Sequence, residues 1–213
     1  MKETVAARKK RVAEIDQVLS GRYPETTALH FQNIFQLLVA TILSAQCTDE
    51  RVNRVTPGLF ERYPDAAAFA SASLVDLEEA VHPTGFFRQK AKSIKTCCEV
   101  LVRHHSGEVP LSLEEMVKLP GVGRKTANMV LGNAEGIPGV VVDTHVKRVA
   151  ARMGLTENID PDRIEGDLAR LMPDDRWTPF SNLVIYLGRD KCTARKAKCN
   201  ECPVAGMCPK IGL

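Results

Sequence analysis

The 213-residue sequence contains no run of about 18 apolar residues, so we expect no segment to span a membrane. Its first residues, Met-Lys-Glu-Thr-Val-Ala-Ala-Arg-Lys-Lys-Arg, carry charges where a secretory signal needs an apolar stretch. We therefore expect an intracellular protein. There the seven cysteines stay reduced and serve as core residues, metal ligands or reactive groups rather than as disulfides.

The alternation of apolar and polar residues that is typical of strands is also missing, and apolar residues recur at helical intervals of three and four. We therefore predict an all-α fold. Aromatic residues make up only 5% of the chain, and the net charge is only +3. So small a basic excess permits nucleic-acid binding but does not by itself indicate it.

Local signals predict several helices. One should cover residues 5–19 and stop at Gly21, and a nearly all-apolar stripe over residues 31–45 predicts a buried helix. Capping pairs or a first-turn proline mark three more helix starts, at Ser73, Ser112 and Asp160. A further helix should direct one apolar set of residues inward: Phe87, Ala91, Ile94, Cys98 and Leu101. Its basic residues should lie mostly off that face: Arg88, Lys90, Lys92 and Lys95.

A glycine-rich turn joins two helices predicted over residues 112–118 and 125–133, and it reads Leu119-Pro120-Gly121-Val122-Gly123-Arg124-Lys125. Pro120 ends the first helix, the glycines allow a tight turn, and Val122 can pack inward. The amides of Gly121 and Gly123 would then point at an anion, which is a sequence-independent way to bind a DNA phosphate. A plain helical hairpin is the alternative. However, Arg124 and Lys125 oppose the dipole of the second helix, and a local rule broken in this way often marks function.

Lys125 and Asp143 are the candidate catalytic residues. The positive end of a helix disfavours the ammonium form of Lys125, and its free amine could attack C1′ of a flipped-out nucleotide, expel the base and form a Schiff base. Asp143, after the apolar run Val140-Val141-Val142, could take the amine's proton or stabilise positive charge on the sugar. Capping of the following helix explains Asp143 equally well, and both roles can coexist. His145 is interpreted as a packed or solvent-facing side chain.

Four cysteines near the end of the chain, Cys192, Cys199, Cys202 and Cys208, are separated by six, two and five residues. Only one close pair occurs among them, whereas zinc sites usually show two, so four thiolates around an iron-sulfur cluster fit better and zinc is the alternative. Basic residues crowd the same segment and would offset an anionic cluster or contact DNA phosphates: Arg189, Lys191, Arg195, Lys196 and Lys198. Cys47, Cys97 and Cys98 are expected to be buried or half-buried thiols.

Taken together, the Leu-Pro-Gly-Val-Gly-Arg-Lys-Thr-Ala-Asn segment, the Val-Asp-Thr-His segment and the six-two-five cysteine spacing resemble the endonuclease III family of DNA glycosylase/lyases. The resemblance implies that Lys125 is the nucleophile, that Asp143 is the essential carboxylate, and that the four cysteines bind a 4Fe-4S cluster. It implies that oxidised pyrimidines and abasic sites in double-stranded DNA are the substrates of a monomeric, bacterial-type cytoplasmic enzyme associated with the nucleoid.

The resemblance also extends to DNA-contacting residues and domains. Gln46 matches a residue that helps fill the gap left by the flipped base, and Phe86 matches a wedge, with an aromatic ring where an aliphatic side chain is expected. Two helical lobes are implied, a barrel over residues 27–137 and a cluster domain from residues 1–26 and 138–213, with Lys125 and Asp143 in the DNA-binding cleft between them. One alternative is an adenine glycosylase, which would act by base removal alone and would usually carry another C-terminal domain; Lys125 and the end of the chain at Leu213 argue against it. The other alternative is a non-catalytic DNA-binding module with a structural metal.

Overall fold

The computed structural model describes residues 3–213, and these contain helices but no strand, which confirms the all-α prediction. The α-helices of this part of the chain are α1 Val5–Ser20, α2 Ile34–Leu43, α3 Asp49–Arg62, α4 Ala66–Ser71, α5 Leu74–Val81, α6 Phe87–His105, α7 Leu113–Met116, α8 Arg124–Glu135, α9 Thr144–Arg152, α10 Pro161–Ala169 and α11 Trp177–Asp190. Short 3-10 turns occur at His82–Thr84, Asp174–Arg176, Cys199–Glu201 and Ala205–Met207. No helix of the described residues is long and apolar enough to cross a membrane.

The chain divides into two compact units. The first, Ala28–Glu135, is named here the hairpin unit because it contains the Gly121–Gly123 turn. The second combines the N-terminal stretch that ends at Thr27 with Gly136–Leu213, and it is named the terminal unit.

Helix α2 lies at the centre of the hairpin unit. Every residue from 37 to 43 is buried, as the nearly all-apolar sequence predicts, and α2 packs against α3, α6 and α8. The helix is shorter than the apolar stripe that predicted it. Asn33 caps its start with a hydrogen bond from the Gln36 amide, and Ser44 ends it, so the stripe residues Phe31 and Ala45 lie outside the helix.

The capping signals in the sequence mark the observed helix starts. The side chains of Ser73, Ser112 and Asp160 each accept the backbone amide three residues ahead, and Pro161 occupies the first helical position of α10. Helix α1 ends at Gly21, which donates its N–H to the carbonyl of Gln17. These interactions involve residues close together in the chain, which is why a sequence pattern can reveal them.

The helices on either side of the glycine-rich turn differ slightly from those predicted. Helix α7 covers only Leu113–Met116, because the chain tightens at Lys118, whose N–H donates to the carbonyl of Glu115 three residues earlier. Helix α8 begins at Arg124, one residue before the predicted start, and continues to Glu135.

In the terminal unit, α11 holds the extended segment that precedes α9. The Oγ of Ser181 accepts the amide of Val141 at 3.0 Å, and the Thr178 hydroxyl donates to the carbonyl of Gly139 at 2.8 Å. Val140 and Val141 are fully buried beneath these contacts. Asp143 lies at the end of this segment. The backbone before Asp143 is therefore held by α11, and the backbone after it begins α9.

Candidate functional site

The glycine-rich turn of the hairpin unit is tight, as predicted, but only one of its two glycines, Gly121, has a positive φ. Gly121 has a φ of +80°, and Val122 is buried and donates its amide to the carbonyl of Leu119 at 3.1 Å. A Cβ at Gly121 would lie only 3.1 Å from the Cβ of Ser93 on α6, so Gly121 is needed both for its backbone conformation and for close packing. Gly123 faces open space and is exposed.

Lys125 and Arg124 form the exposed first turn of α8, which contains no acidic residue. The opposite side of this helix is buried, at Ala127, Asn128, Val130 and Leu131, and packs against α2. The backbone that carries Lys125 is therefore anchored in the core, while its side chain extends outward from the positive end of the helix. An exposed position at the start of α8 would allow the Lys125 amine to reach a ligand bound by the Gly121–Gly123 turn.

Asp143 caps α9 in the terminal unit. Its Oδ1 accepts the backbone amides of both His145 and Val146 at 2.8 Å, so the capping role foreseen for this aspartate is present. The side chain is half-buried. Two hydrogen bonds to a single oxygen fix the carboxylate's orientation, which is what a group acting on a positive centre requires.

His145 packs within the terminal unit between α9 and α11. Its Nδ1 lies 3.2 Å from Nη2 of Arg148, and its Cβ would lie 2.9 Å from a side chain at Gly188. Burial lowers the pKa of His145 below its usual 6.5, and the cations of Arg148 and Arg189 act in the same direction, whereas Asp143 opposes the shift. This environment matches the packed histidine inferred from the sequence.

The four C-terminal cysteines come together around one cavity of the terminal unit. Cys192, Cys199, Cys202 and Cys208 all line it, together with apolar residues that include Leu187 and Val204. None of the described residues forms a group of three His, Cys, Asp or Glu side chains arranged to hold a metal ion. Burial is the main cause that raises the pKa of the Cys202 and Cys208 thiols, and the neighbouring cysteines raise both pKa values further.

Arg152, at the end of α9, holds the segment that carries the first of these cysteines. Its guanidinium donates to the carbonyl of Thr193 at 2.8 Å, the carbonyl of Ala194 at 3.2 Å and Sγ of Cys192 at 3.3 Å. The carbonyl of Arg152 in turn accepts the amide of Ile211 at 3.0 Å. One residue therefore contacts both ends of the cysteine-bearing region, and the sequence patterns did not single it out.

The basic residues of this region are not equivalent. Lys191 is half-buried and forms ion pairs with Glu201 at 2.9 Å and Asp190 at 3.5 Å, so its charge is already matched by carboxylates. The expectation that Lys191 offsets an anionic cluster or contacts DNA phosphates stays a prediction. Arg189, Arg195, Lys196 and Lys198 are exposed.

Gln46 and Phe86 occupy two exposed turns of the hairpin unit, and both have left-handed backbones, with φ of 51° and 47°. The ring of Phe86 is 66% exposed, whereas Phe87 is half-buried and packs on His82. Positive φ is uncommon for residues other than glycine, and among the described residues Ser106 and Lys210 share it with φ of 55° and 56°.

Lys90 was expected to lie off the inward face of α6, and this expectation is wrong. Its side chain is only 4% exposed, and its ammonium donates to two backbone carbonyls in the core of the hairpin unit. Burial lowers its pKa below the usual 10.5. The signal was present in the sequence, because Lys90 precedes Ile94, Cys97 and Leu101 at helical spacing on a buried stripe.

Comparison with known proteins places these features in context. The family described as "HhH-GPD superfamily base excision DNA repair protein" matches residues 39–174. The endonuclease III of Synechocystis sp. is 55% identical over 207 residues, covering 96% of this chain and 94% of the relative. That of Escherichia coli is 34% identical over 93% of this chain and 94% of its own length. A solved structure of a trapped endonuclease III–DNA covalent intermediate has a TM-score of 0.89 and 36% identity, covering 98% of this chain and 97% of that one.

Proposed function

The chain belongs to the endonuclease III family of the HhH-GPD superfamily of base excision DNA repair proteins, and from this premise we propose that Lys125 and Asp143 carry its glycosylase and AP lyase reactions. The substrates are oxidised pyrimidines and abasic sites in double-stranded DNA. The observation that carries the assignment is the position of Lys125, in the exposed first turn of α8 directly after the Gly121–Gly123 turn.

In the proposed reaction the amine of Lys125 attacks C1′ of the flipped nucleotide. The C1′–N bond to the base breaks as the new C–N bond forms, and the base leaves with the bonding electron pair and takes up a proton. Opening of the sugar ring gives a Schiff base between Lys125 and C1′. This imine acidifies the C2′ proton, and its removal expels the 3′ phosphate, which cleaves the strand.

Asp143 stabilises the positive charge that develops on the sugar, or accepts a proton from the attacking amine. Its two amide hydrogen bonds, each 2.8 Å long, hold the carboxylate in one orientation through this step. No side-chain rearrangement is then needed as charge develops.

The DNA-binding residues in this proposal are Gly121, Gly123 and Arg124 of the hairpin, together with Gln46 and Phe86. The two glycines and the start of α8 bind a backbone phosphate, which orients the duplex without reading its sequence. Gln46 and Phe86 enter the gap that the flipped base leaves. We further propose that the protein acts as a monomer on DNA in the cytoplasm, and that the two units correspond to the two lobes implied by the family resemblance.

Cys192, Cys199, Cys202 and Cys208 would hold a 4Fe-4S cluster. The thiols do not converge on a single metal ion, but each cysteine of a 4Fe-4S cluster binds a different iron atom, so a set of four thiols around one cavity fits the cluster. N–H groups of Arg152 and Lys210 also point at the sulfurs of Cys192 and Cys208. When bound, the cluster ties the C-terminal loops into one rigid element. Visible absorbance together with iron and zinc analysis decides the matter, since a colourless protein with stoichiometric zinc would contradict an iron-sulfur cluster.

Borohydride trapping tests the role of Lys125. With a lesion-containing duplex the wild type should form a covalent adduct, and Lys125→Ala should form none. Lys118→Ala is the matched control, because Lys118 lies in the same hairpin but pairs with Glu115 on the surface. An adduct that survives Lys125→Ala would contradict the lyase assignment.

Asp143→Asn separates the charge of Asp143 from its capping role. Asparagine caps helices about as well as aspartate, so the fold should be retained. Base excision should fall by at least about 100-fold if the carboxylate charge stabilises the transition state. Unchanged excision with an unchanged melting temperature would show that Asp143 serves only as a cap.

A further inference from the structure

A buried lysine links the two exposed left-handed turns of the hairpin unit. Nζ of Lys90 donates to the carbonyl of Leu43 at 2.8 Å and to the carbonyl of Thr84 at 2.7 Å. Leu43 is the last residue of α2, and Thr84 is the last residue of the 3-10 turn His82–Thr84. The two chain segments that leave these residues lead to Gln46 and to Phe86.

The chemistry of this contact is unusual for a core. An ammonium group loses its hydration when buried, and an apolar side chain of similar length would fill the same space without that penalty. What an apolar side chain lacks is a donor that can bind two carbonyls at once. Leu43 lies 47 residues before Lys90 and Thr84 lies only six before it, so this donor joins a segment close in the chain to a distant one that no local interaction would hold beside it.

The turns themselves need such support. Gln46 and Phe86 have φ of 51° and 47°, and a left-handed backbone is strained for residues other than glycine unless the surroundings hold it. Phe86 also stands at the start of α6 without a side-chain capping bond. Its carbonyl accepts the backbone amide of Lys90 at 3.1 Å, which is the ordinary first hydrogen bond of the helix, so the specific support for this turn comes from the Lys90 side chain.

We infer that Lys90 is a positioning residue for base flipping: it holds the Gln46 and Phe86 turns at a fixed separation, so that both side chains enter the duplex together. This inference rests on the proposed function, in which Gln46 and Phe86 occupy the gap left by the flipped base. Lys90 itself is buried and does not touch DNA.

Helix α6 provides a matched control. Lys95 lies on the same helix, and its Nζ also donates to two backbone carbonyls, those of Ala70 and Ala72, the latter at 2.9 Å. These carbonyls belong to the end of α4, away from both exposed turns. Lys95→Met therefore removes two side-chain-to-carbonyl hydrogen bonds from the same helix, together with an ion pair to Glu99 at 3.5 Å, without removing a bond to the segments that lead to Gln46 and Phe86.

The test is a double-mutant cycle on single-turnover excision of an oxidised pyrimidine, with 2-aminopurine beside the lesion to report flipping. Lys90→Met should lower the excision rate and the flipped fraction by about tenfold in the wild-type background. In a background of Gln46→Ala with Phe86→Ala the same substitution should change both by less than about twofold. Lys95→Met should leave both within about twofold while lowering the melting temperature as Lys90→Met does.

Equal losses from Lys90→Met in the two backgrounds would overturn the inference, as would equal losses from Lys95→Met and Lys90→Met. If Lys90→Met does not fold, the cycle is run with Lys90→Arg, which keeps the charge but displaces the donors, and the same comparison decides. A wild type that excises no lesion would instead overturn the proposed function and this inference with it. An active wild type in which Lys90 shows no coupling to Gln46 and Phe86 would overturn only the inference about Lys90 and would leave the proposed function intact.

Discussion

Replacement of Arg152 by methionine should destabilise the cysteine-bearing loops of the terminal unit. The guanidinium of Arg152 bridges the end of α9 to residues 192–194, where the chain forms no helix. Methionine retains the apolar stem of the side chain and removes every donor. The loss should therefore report the hydrogen bonds rather than packing.

The magnitude follows from the bonds that the structure shows. Three of them, to Thr193 O, Ala194 O and Cys192 Sγ, measure between 2.8 and 3.3 Å. Hydrogen bonds from charged groups contribute more than neutral ones, but Arg152 is only half-buried, so about 1 kcal/mol for each bond is a suitable value. The free energy of unfolding should fall by about 3 kcal/mol.

Urea unfolding of the purified protein, followed by far-UV circular dichroism and by visible absorbance, measures this loss. Arg195→Met is the control, because Arg195 lies exposed in the same loop, and it should change the free energy of unfolding by less than about 0.5 kcal/mol. With the proposed iron-sulfur cluster bound, loss of its visible absorbance should also accelerate in Arg152→Met and not in Arg195→Met. A change below about 1 kcal/mol for Arg152→Met, or the same change in both variants, would refute the reasoning.

Two further predictions concern the packing of α9 on α11. Gly188→Ala places a Cβ 2.9 Å from the Cβ of His145 and should lower the free energy of unfolding by about 1 to 3 kcal/mol. Gly58→Ala in α3 is the control, because its new Cβ meets nothing within 4 Å and should raise the free energy of unfolding by up to about 1 kcal/mol. Urea unfolding in which both variants changed that free energy in the same direction would contradict this prediction. Burial keeps the pKa of His145 below 6.5, so the unfolded state binds the proton more readily. The stability due to neutral His145 is then fully present above about pH 6.5 and is lost as the pH falls through the lower folded pKa. Melting temperatures measured across that range should fall more steeply for the wild type than for His145→Gln, and equal slopes would show that another group is responsible.

The features that the sequence predicts well are those whose causes lie within a few residues. Asp160 and Pro161 define the start of α10 because the cap and the first helical position are adjacent, and Gly121 allows its turn because of its own backbone freedom. The four cysteines also lie within one short stretch of the sequence, so their spacing alone predicts that they share a site. Asp143 is recognisable as a cap for the same reason.

The features that the sequence did not predict depend on contacts between distant segments. The helical spacing of Lys90 with Ile94 and Leu101 indicates that it is buried, but it does not indicate its bonding partner, the carbonyl of Leu43. Nothing in the sequence near Arg152 indicates its partners, the carbonyls of Thr193 and Ala194. In both cases the partner is a backbone carbonyl, which every residue possesses and which no sequence pattern marks. Capping bonds can therefore be predicted from the sequence, whereas hydrogen bonds between a side chain and a backbone carbonyl far away in the chain cannot.

The buried contacts of α6 give the hairpin unit a single rigid reference for all of its proposed DNA contacts. Phe86 stands at the start of the helix, and Lys90 one turn later binds the segment leading to Gln46. Ser93, one turn further, lies so close to the glycine-rich turn that a Cβ at Gly121 would be 3.1 Å from its own Cβ. Residues three apart on a helix share a face, so Lys90 and Ser93 act on neighbouring segments from one side of α6. A shift of this helix would therefore move Phe86, the segment leading to Gln46 and the Gly121 turn together, so the DNA contacts proposed for them would keep their relative positions.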